Sequence, residues 1–165
     1  MPIDFFKQDC KTTSNIQEFG LCDDPPPPHL PAYIDEDDTN KWIGIVKNPT
    51  SKKVDFYAID HCVSILCADG EEESKCDGML HYENNLVFVE LKNRGGSGWL
   101  KGAREQLEST IKEFNKSNSF TDYTIVEMYA CNSLKPLVKE STSTQFQIFK
   151  DNTGFEMKAQ RIINI

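Results

Sequence analysis

The sequence predicts an α/β fold in which a mixed β-sheet, with an antiparallel hairpin at its centre, is flanked by helices. Three observations lead to this class. Residues 86–89 form an unbroken apolar run after a polar, turn-prone segment at 81–85, as expected of a buried strand that leaves a hairpin. Residues 99–115 carry apolar side chains at helical spacing, and residues 123–131 form a second apolar strand. A helix between two such strands favours a right-handed crossover that places them side by side.

Length and composition favour one globular domain. A chain of 165 residues is long enough to bury a sizeable core, and 38% hydrophobic with 27% charged residues is ordinary for a soluble protein. We find no apolar run of membrane-spanning length and no charged-then-apolar leader at the N-terminus. We therefore expect a cytoplasmic protein with no membrane partner.

The six cysteines favour reduced thiols over a disulfide framework, because such frameworks belong to small secreted domains. The alternative is a zinc site. Cys62, Cys67 and Cys76 lie near His61, but their spacing matches no standard zinc pattern.

The first 40 residues differ from the rest. Four consecutive prolines at 25–28 favour an extended polyproline segment, which cannot join a helix or a central strand. Seven acids lie between Glu18 and Asp38 without a Lys or Arg among them. We predict an acidic, proline-containing arm at 1–40 and an α/β domain at 41–165. A linker is the first interpretation of the arm, with an oligomer-forming arm or a docking segment for a partner as alternatives.

The remaining elements follow in order. Residues 42–46 predict a short strand, and residues 54–67 predict a helix. The helix is predicted from apolar side chains at helical spacing, namely Phe56, Ile59, Val63 and Leu66. Two final strands are predicted at 144–150 and 155–163, joined by a turn.

Three charged residues at the strand ends form the candidate functional site. Asp77 begins the first strand of the predicted hairpin, and Glu90 and Lys92 end the second strand. Glu90 and Lys92 are two positions apart, so they share one face of their strand. Because charges are costly at the end of an apolar strand, two converging carboxylates beside an ammonium predict a site for a hard divalent cation.

The hairpin loop decides whether Asp77 joins that face. A two-residue loop at 83–84 puts Asp77 opposite Glu90, and one at 84–85 puts it opposite Lys92. Both registers gather the three groups. A three-residue loop would turn Asp77 to the other face unless a bulge corrected it.

Asp77, Glu90 and Lys92 resemble the D…(D/E)xK signature of the PD-(D/E)xK nuclease superfamily, which includes restriction endonucleases and Holliday-junction resolvases. Cys76 stands where a proline is usual. The resemblance covers residues 54–131. It implies a restriction endonuclease-like fold and an enzyme, a nuclease of the endonuclease or exonuclease kind, that hydrolyses phosphodiester bonds in DNA, or in RNA, with Mg²⁺ or Mn²⁺.

The resemblance also implies roles. Asp77, Glu90 and the backbone carbonyl of Leu91 would bind the metal ion, and Lys92 would position the attacking water or stabilise the phosphate. Gln106, followed by leucine, matches a pair in the exonuclease-like branch and would orient water or phosphate. The alternative for Gln106 is an ordinary surface glutamine.

An additional acid comes from the first helix in several branches of the superfamily. Asp60 is the first candidate here and Asp55 the second. The alternative is a surface carboxylate beside an apolar stripe.

The net charge of −8 opposes non-specific binding of nucleic acid, but the charge is unevenly distributed. Without the seven acids of the predicted arm it is −8 + 7 = −1. Arg94, Lys101 and Arg104 follow Lys92 with no acid among them, so we expect them to contact phosphates. A solvated loop and helix face is the alternative.

Two other functions remain open. A catalytically inactive nuclease-like module could bind another macromolecule as an immunity, inhibitor or accessory-subunit protein, since acidic surfaces suit basic partners. In a purely structural interpretation, Glu90 and Lys92 are ordinary strand-end charges. The expected partner is nucleic acid, with DNA preferred; a protein partner or a second copy of the chain are the alternatives.

Overall fold

The computed structural model of the protein describes residues 2–134 and 141–165, and within them the chain forms ten strands and two α-helices. The strands are β1 (Lys11–Ser14), β2 (Glu18–Cys22), β3 (Tyr33–Asp35), β4 (Gly44–Lys47), β5 (Val54–Ala58), β6 (Gly78–Tyr82), β7 (Asn85–Lys92), β8 (Ile125–Asn132), β9 (Met157–Ala159) and β10 (Ile162–Asn164). The helices are α1 (Trp99–Ser117) and α2 (Ser141–Thr153). The predicted α/β class is confirmed, but the strands form two mixed sheets instead of one.

The larger sheet has the strand order β1-β5-β6-β7-β8-β9. Its first four strands are antiparallel, and β8 and β9 continue it in parallel. The predicted central hairpin is β6 with β7, and the predicted strand at 123–131 is β8, which lies beside β7. β7 is buried at seven of its eight positions because it is central and covered, which explains its unbroken apolar run.

Helix α1 connects β7 to β8 and matches the predicted helix. Its buried stripe contains all the predicted core residues: Leu100, Ala103, Leu107, Ile111 and Phe114. The helix begins after Gly98, whose φ of 90° is a left-handed conformation that favours glycine. The glycine loop thus allows the chain to turn from the end of β7 into α1.

The smaller sheet has the order β10-β4-β2-β3. Residues 1–40, predicted as an arm outside the α/β domain, contribute β1 to the larger sheet and β2 and β3 to the smaller one. The reason is apolar content: Phe19 and Leu21 of β2 are completely buried. The four prolines occupy only the connection between β2 and β3, so the predicted boundary at residue 40 has no counterpart in the strand pairing.

The predicted helix at 54–67 is wrong. Residues Val54–Ala58 form β5, which lies between β1 and β6, and a turn follows. Val54, Phe56 and Ala58 are buried at a spacing of two, whereas Leu66, needed for the helical stripe, is 62% exposed. Phe56 lies in the strand, and Ile59 and Val63 lie in the compact loop that follows it. Their helical spacing in the sequence therefore does not reflect a helix.

The predicted strand at 144–150 is also wrong, because these residues lie in α2. Thr, Phe and Ile are enriched in strands, but Phe149 is completely buried and α2 packs against α1. The predicted strand at 155–163 divides into β9 and β10, which join different sheets. Gly154, placed in the predicted turn, instead ends α2 with a φ of 80°.

The cysteines differ from expectation in one pair. Cys10 and Cys62 form a disulfide, while Cys22, Cys67, Cys76 and Cys131 are free. The disulfide joins the segment before β1 to the turn after β5. It also removes Cys62 from the zinc site considered above.

In the described parts of the chain, neither helix combines the length and the apolar character that crossing a membrane requires.

We expect the disulfide to contribute substantially to stability, because it closes a loop across a sequence separation of 52 residues. Replacing both Cys10 and Cys62 with serine should lower the free energy of unfolding by about 2–4 kcal/mol. Urea or guanidinium unfolding measures this, with Cys67→Ser, which alters a free thiol, as the matched control. Equal midpoints for the double variant and the wild type would contradict the expectation.

We expect Gly78 at the start of β6 to tolerate no side chain. A Cβ there would overlap the ring of Phe56 and lie 2.7 Å from the carbonyl oxygen of Tyr57. Gly78→Ala should therefore destabilise the fold by about 1–3 kcal/mol. Gly102→Ala in α1, where a Cβ meets nothing within 4 Å, should stabilise it by about 0.5–1 kcal/mol. Thermal and denaturant unfolding of the two variants compare a crowded and an open glycine directly.

Candidate active site

The β6–β7 hairpin has a two-residue loop, Glu83–Asn84, with Tyr82 paired to Asn85 and Gly78 paired to Val89. This is the first of the two registers expected from the sequence. One step beyond the Gly78–Val89 pair, Asp77 lies opposite Glu90. Opposite residues of an antiparallel pair present their side chains on the same face, so the hairpin brings the two acids together.

Backbone hydrogen bonds hold both carboxylates. The amide of Asp77 donates to Glu90 Oε2 at 3.2 Å, and the amide of Leu91 donates to Asp77 Oδ2 at 2.6 Å. Asp77 is 6% exposed and Glu90 only 2% exposed. Each acid is thus anchored to the strand that carries the other, and the pair has little freedom to separate.

Lys92 joins this pair and connects it to α1. Its Nζ lies 2.8 Å from Glu90 Oε1 and donates to Gln106 Oε1 at 2.5 Å. Gln106 in turn donates through Nε2 to the carbonyl of Lys75 at 3.0 Å. Gln106 is therefore half-buried and bonded on both sides, unlike the ordinary surface glutamine considered as the alternative. Its side chain determines where the Lys92 amine points.

Asp60 reaches the same region from a turn, not from a helix. The amide of Ile59 donates to the carbonyl of Asp77 at 2.8 Å, and the amide of Asp60 donates to that of Cys76 at 3.2 Å. These bonds extend the pairing of β5 with β6. His61 Nε2 lies 3.3 Å from Asp60 Oδ2. Asp60 thus stands beside Asp77, although the helix that was expected to carry it does not form.

Asp55, the second candidate for the additional acid, lies away from the acid pair. Asp55 accepts a hydrogen bond from Thr13 Oγ1 at 2.7 Å, on the side of β5 that faces β1. It pairs with His81, toward the loop end of the hairpin, and so it is not brought to the acid pair.

The three predicted phosphate contacts have different environments. Arg104 is buried, and its guanidinium donates to Glu108 at 2.8 Å and to Gln145 at 2.6 Å. Lys101 is exposed and lies 4.0 Å from Glu105. Arg94 is exposed in the glycine loop. Of these three expected phosphate contacts, Arg104 is therefore lost, because Glu108 neutralises it within the fold.

Burial governs the electrostatics of the acid pair. Burial raises the pKa of Asp77 well above its usual value, and the negative charge of Glu90 raises it further. Burial also raises the pKa of Glu90 to about 7, against the lowering effect of Lys92. With both acids ionised, one ammonium offsets two carboxylates. Only in that state, which burial disfavours, does the pair carry a negative charge that Lys92 does not offset.

The oxygens expected to bind a hard divalent cation are those of this carboxylate pair. Among the residues that the structure describes, no group of three or more His, Cys, Asp or Glu side chains is arranged to hold a metal ion. Mg²⁺ and Mn²⁺ prefer oxygen ligands, and Mg²⁺ in particular is often bound by one or two carboxylates while it keeps several waters. Asp77 and Glu90 would hold such an ion, and its charge would compensate the uncompensated carboxylate.

Sequence reasoning missed three residues that shape the site. Thr110 Oγ1 of α1 accepts a hydrogen bond from the Cys76 amide at 2.8 Å. This bond anchors the segment before Asp77 to the helix. Asn132 at the end of β8 donates to the carbonyl of Arg94 at 2.7 Å and so holds the start of the glycine loop. Asp23 is close enough for its charge to raise the pKa of Asp77. It lay in the predicted arm, where no pattern pointed to the site.

The raised pKa of Glu90 predicts a pH dependence of stability without added metal. Between its usual value of 4.5 and about 7, the folded protein binds a proton that the unfolded chain does not. Stability should therefore fall as pH rises through this range, by up to about 3 kcal/mol. Glu90→Gln should reduce that fall, while Asp77, whose pKa burial also raises, should still contribute to it.

Urea unfolding in EDTA at pH 5 and pH 7.5 provides the measurement. Glu18→Gln, which alters an exposed acid paired with Lys47, is the control and should retain the wild-type dependence. An identical pH dependence in Glu90→Gln and the wild type would contradict the assignment.

Comparisons of the chain with protein-family models, with curated proteins and with solved structures found no match. The residues of the site and the resemblance of its motif are therefore the basis for inferring a function.

Proposed function

We propose that the protein is a divalent-metal-dependent nuclease that hydrolyses phosphodiester bonds of DNA, with RNA as a further substrate, on a restriction endonuclease-like scaffold. One observation carries the proposal. Asp77, Glu90 and Lys92 lie together at the end of the central hairpin, two acids opposite each other and the amine 2.8 Å from one of them. A charge arrangement this buried is costly to maintain for stability alone.

The scaffold supports the same interpretation in part. The antiparallel hairpin, the glycine loop, helix α1 and the parallel strand β8 follow one another in the order implied by the resemblance. The helix expected before the hairpin is replaced by β5 and a turn. Asp60 nevertheless stands beside Asp77, where an additional acid would be useful.

Each residue then has a chemical role. Asp77 and Glu90 would hold the cation, with the Leu91 carbonyl as a further oxygen. Mg²⁺ or Mn²⁺, when bound, supplies positive charge and Lewis acidity at the phosphate. Lys92 orients the attacking water and offsets negative charge that develops on the phosphate. Gln106 positions the Lys92 amine through its 2.5 Å hydrogen bond, and the Lys75 carbonyl keeps Gln106 in place.

A second candidate, the catalytically inactive binding module, is favoured by the acidic surface around α1. The cavity between α1 and α2 is lined by Glu73, Glu105, Glu108 and Glu113. Such a face suits a basic macromolecule better than a phosphodiester strand.

We expect Glu90→Gln and Lys92→Ala each to reduce cutting of DNA or RNA by at least about 100-fold, because each removes a group that acts on the phosphate. Single- and double-stranded substrates should be incubated with Mg²⁺, Mn²⁺ or EDTA, and EDTA should abolish cutting. Glu18→Gln should cut as the wild type does. Circular dichroism and thermal unfolding show whether each variant is folded.

Two results would count against the nuclease. Cutting that survives EDTA or both substitutions would place the chemistry elsewhere. A folded wild-type protein that cuts none of these substrates with either ion would favour the binding module.

A further inference from the structure

The turn that carries Asp60 is attached to the acid pair on one side and to a disulfide on the other. The amide of Asp60 donates to the carbonyl of Cys76 at 3.2 Å, directly before Asp77 in the chain. Cys62, two residues after Asp60, is bonded to Cys10. The covalent bond between the two cysteines therefore ends within two residues of the acid that stands beside the candidate site.

The other end of the disulfide is held by the larger sheet. Cys10 is 5% exposed and directly precedes Lys11, which pairs with Tyr57 of β5. The disulfide thus ties the turn after β5 back to the edge of the sheet that the chain has just left. The remaining cysteines are free thiols, so this is the one covalent link that reduction can break.

The backbone between Asp60 and Cys62 has an unusual conformation. His61 has a φ of 61°, which lies in the left-handed region that residues with a side chain rarely adopt. A backbone of this kind persists only where the surrounding structure imposes it. The disulfide at the next residue is one such constraint. Without it, His61 can return to a commoner conformation, and this change would move Asp60.

A cavity connects the disulfide with the candidate site. It has a volume of about 490 Å³, and Asp60, His61, Cys62 and Gln106 contribute to its lining. Cys62 is half-buried, so a small reductant in the cavity has access to this end of the disulfide. Gln106 is also the residue that accepts a hydrogen bond from Lys92. A change in the turn would therefore occur at a wall of the site itself.

We propose that the Cys10–Cys62 disulfide is a redox switch of the candidate active site. In the oxidised protein it fixes Asp60 beside the acid pair. In the reduced protein the turn at 59–63 is free to move, and the site binds its divalent cation more weakly. The inference rests on the proposed nuclease function and assigns a regulation to the same site.

The reductant is a small dithiol. One of its thiolates attacks Cys62 Sγ, the S–S bond breaks, and Cys10 leaves as a thiolate. The second thiolate of the reductant then attacks the sulfur of its own that is bonded to Cys62, and Cys62 leaves in turn. The reductant becomes a cyclic disulfide, and its two protons end on the two cysteines. The protein gains two electrons and the dithiol loses two.

Hydrogen exchange of the Asp60 amide tests the switch without metal or substrate. The protein is reduced with dithiothreitol and desalted under nitrogen, and the oxidised protein is treated in the same way. Reduction should accelerate exchange at this amide by at least about tenfold, because its bond to the Cys76 carbonyl opens more often. The variant with both Cys10→Ser and Cys62→Ser should exchange rapidly in either treatment. Cys67→Ser should behave as the wild type.

A general loss of stability is controlled with Ile163→Ala. Ile163 is completely buried in β10, so this change destabilises the fold while the disulfide stays intact. If oxidised Ile163→Ala accelerates exchange at Asp60 as much as reduction of the wild type does, the disulfide is only a general stabiliser and the switch is overturned. Equal exchange in oxidised and reduced wild type would also overturn it.

Mn²⁺ affinity, measured by electron paramagnetic resonance, tests the consequence for the site. Reduction of the wild type should weaken Mn²⁺ binding by about three- to tenfold, because a displaced acid no longer contributes to the site. Asp60→Asn should bind Mn²⁺ weakly in both redox states and respond little to reduction. An equal response to reduction in Asp60→Asn and the wild type would show that the effect does not pass through Asp60.

The two proposals fail in different ways. If the oxidised wild type binds Mn²⁺ and cuts nucleic acid, and reduction changes neither its affinity nor exchange at Asp60, the switch fails and the nuclease stands. If neither redox state binds Mn²⁺ or cuts, the proposed function fails, and the switch fails with it.

Discussion

The register of the β6–β7 hairpin is the constraint on which the site depends. Tyr82 pairs with Asn85 across a two-residue loop, and every later pair of the hairpin follows from that step. A shift by one residue would exchange the two faces of the strand and carry Asp77 away from Glu90. The register is held at the end away from the loop: Gly78 allows β6 to lie tightly against Phe56, and backbone amides of Asp77 and Leu91 bind the opposed carboxylates.

Burying two ionised acids makes this register energetically unfavourable unless positive charge compensates them. Two carboxylates with little exposure to water would repel each other, and burial raises the pKa of both. Lys92 forms an ion pair with Glu90, and Gln106 of α1 keeps the Lys92 amine in position. With both acids ionised, the negative charge that Lys92 does not offset is what a bound cation would compensate. Packing of α1 on the hairpin and the chemistry of the site are thus connected through a single hydrogen-bonded chain, which ends at the Lys75 carbonyl.

Charge is unevenly distributed around this centre. A net charge of −8 is unfavourable for a protein that contacts phosphates. Acids lie near the site on the side of α1 and on the side of the Asp60 turn. The guanidinium of Arg104 donates hydrogen bonds to Glu108 and Gln145. Next to the smaller sheet, two acids, Asp23 and Asp24, and two cations, Lys41 and Arg161, line a further cavity. What looked like an acidic appendage in the sequence therefore forms part of the wall of the site.

The sequence by itself determined the local features: the central hairpin, the buried strand β7, the amphipathic helix α1 with its core stripe, and the acids and amine at the strand ends. These are visible because the periods of two and of 3.6 residues, and charges that interrupt apolar runs, are properties of neighbouring residues. Tertiary structure alone decided the rest. Residues 54–58 became a strand because β1 and β6 flank them, residues 144–150 became a helix because α1 offered an apolar face, and Cys10 met Cys62 through folding. The same holds for Arg104 and Asp23. Residues distant in the chain set their environments, so no local sequence pattern could have predicted those environments.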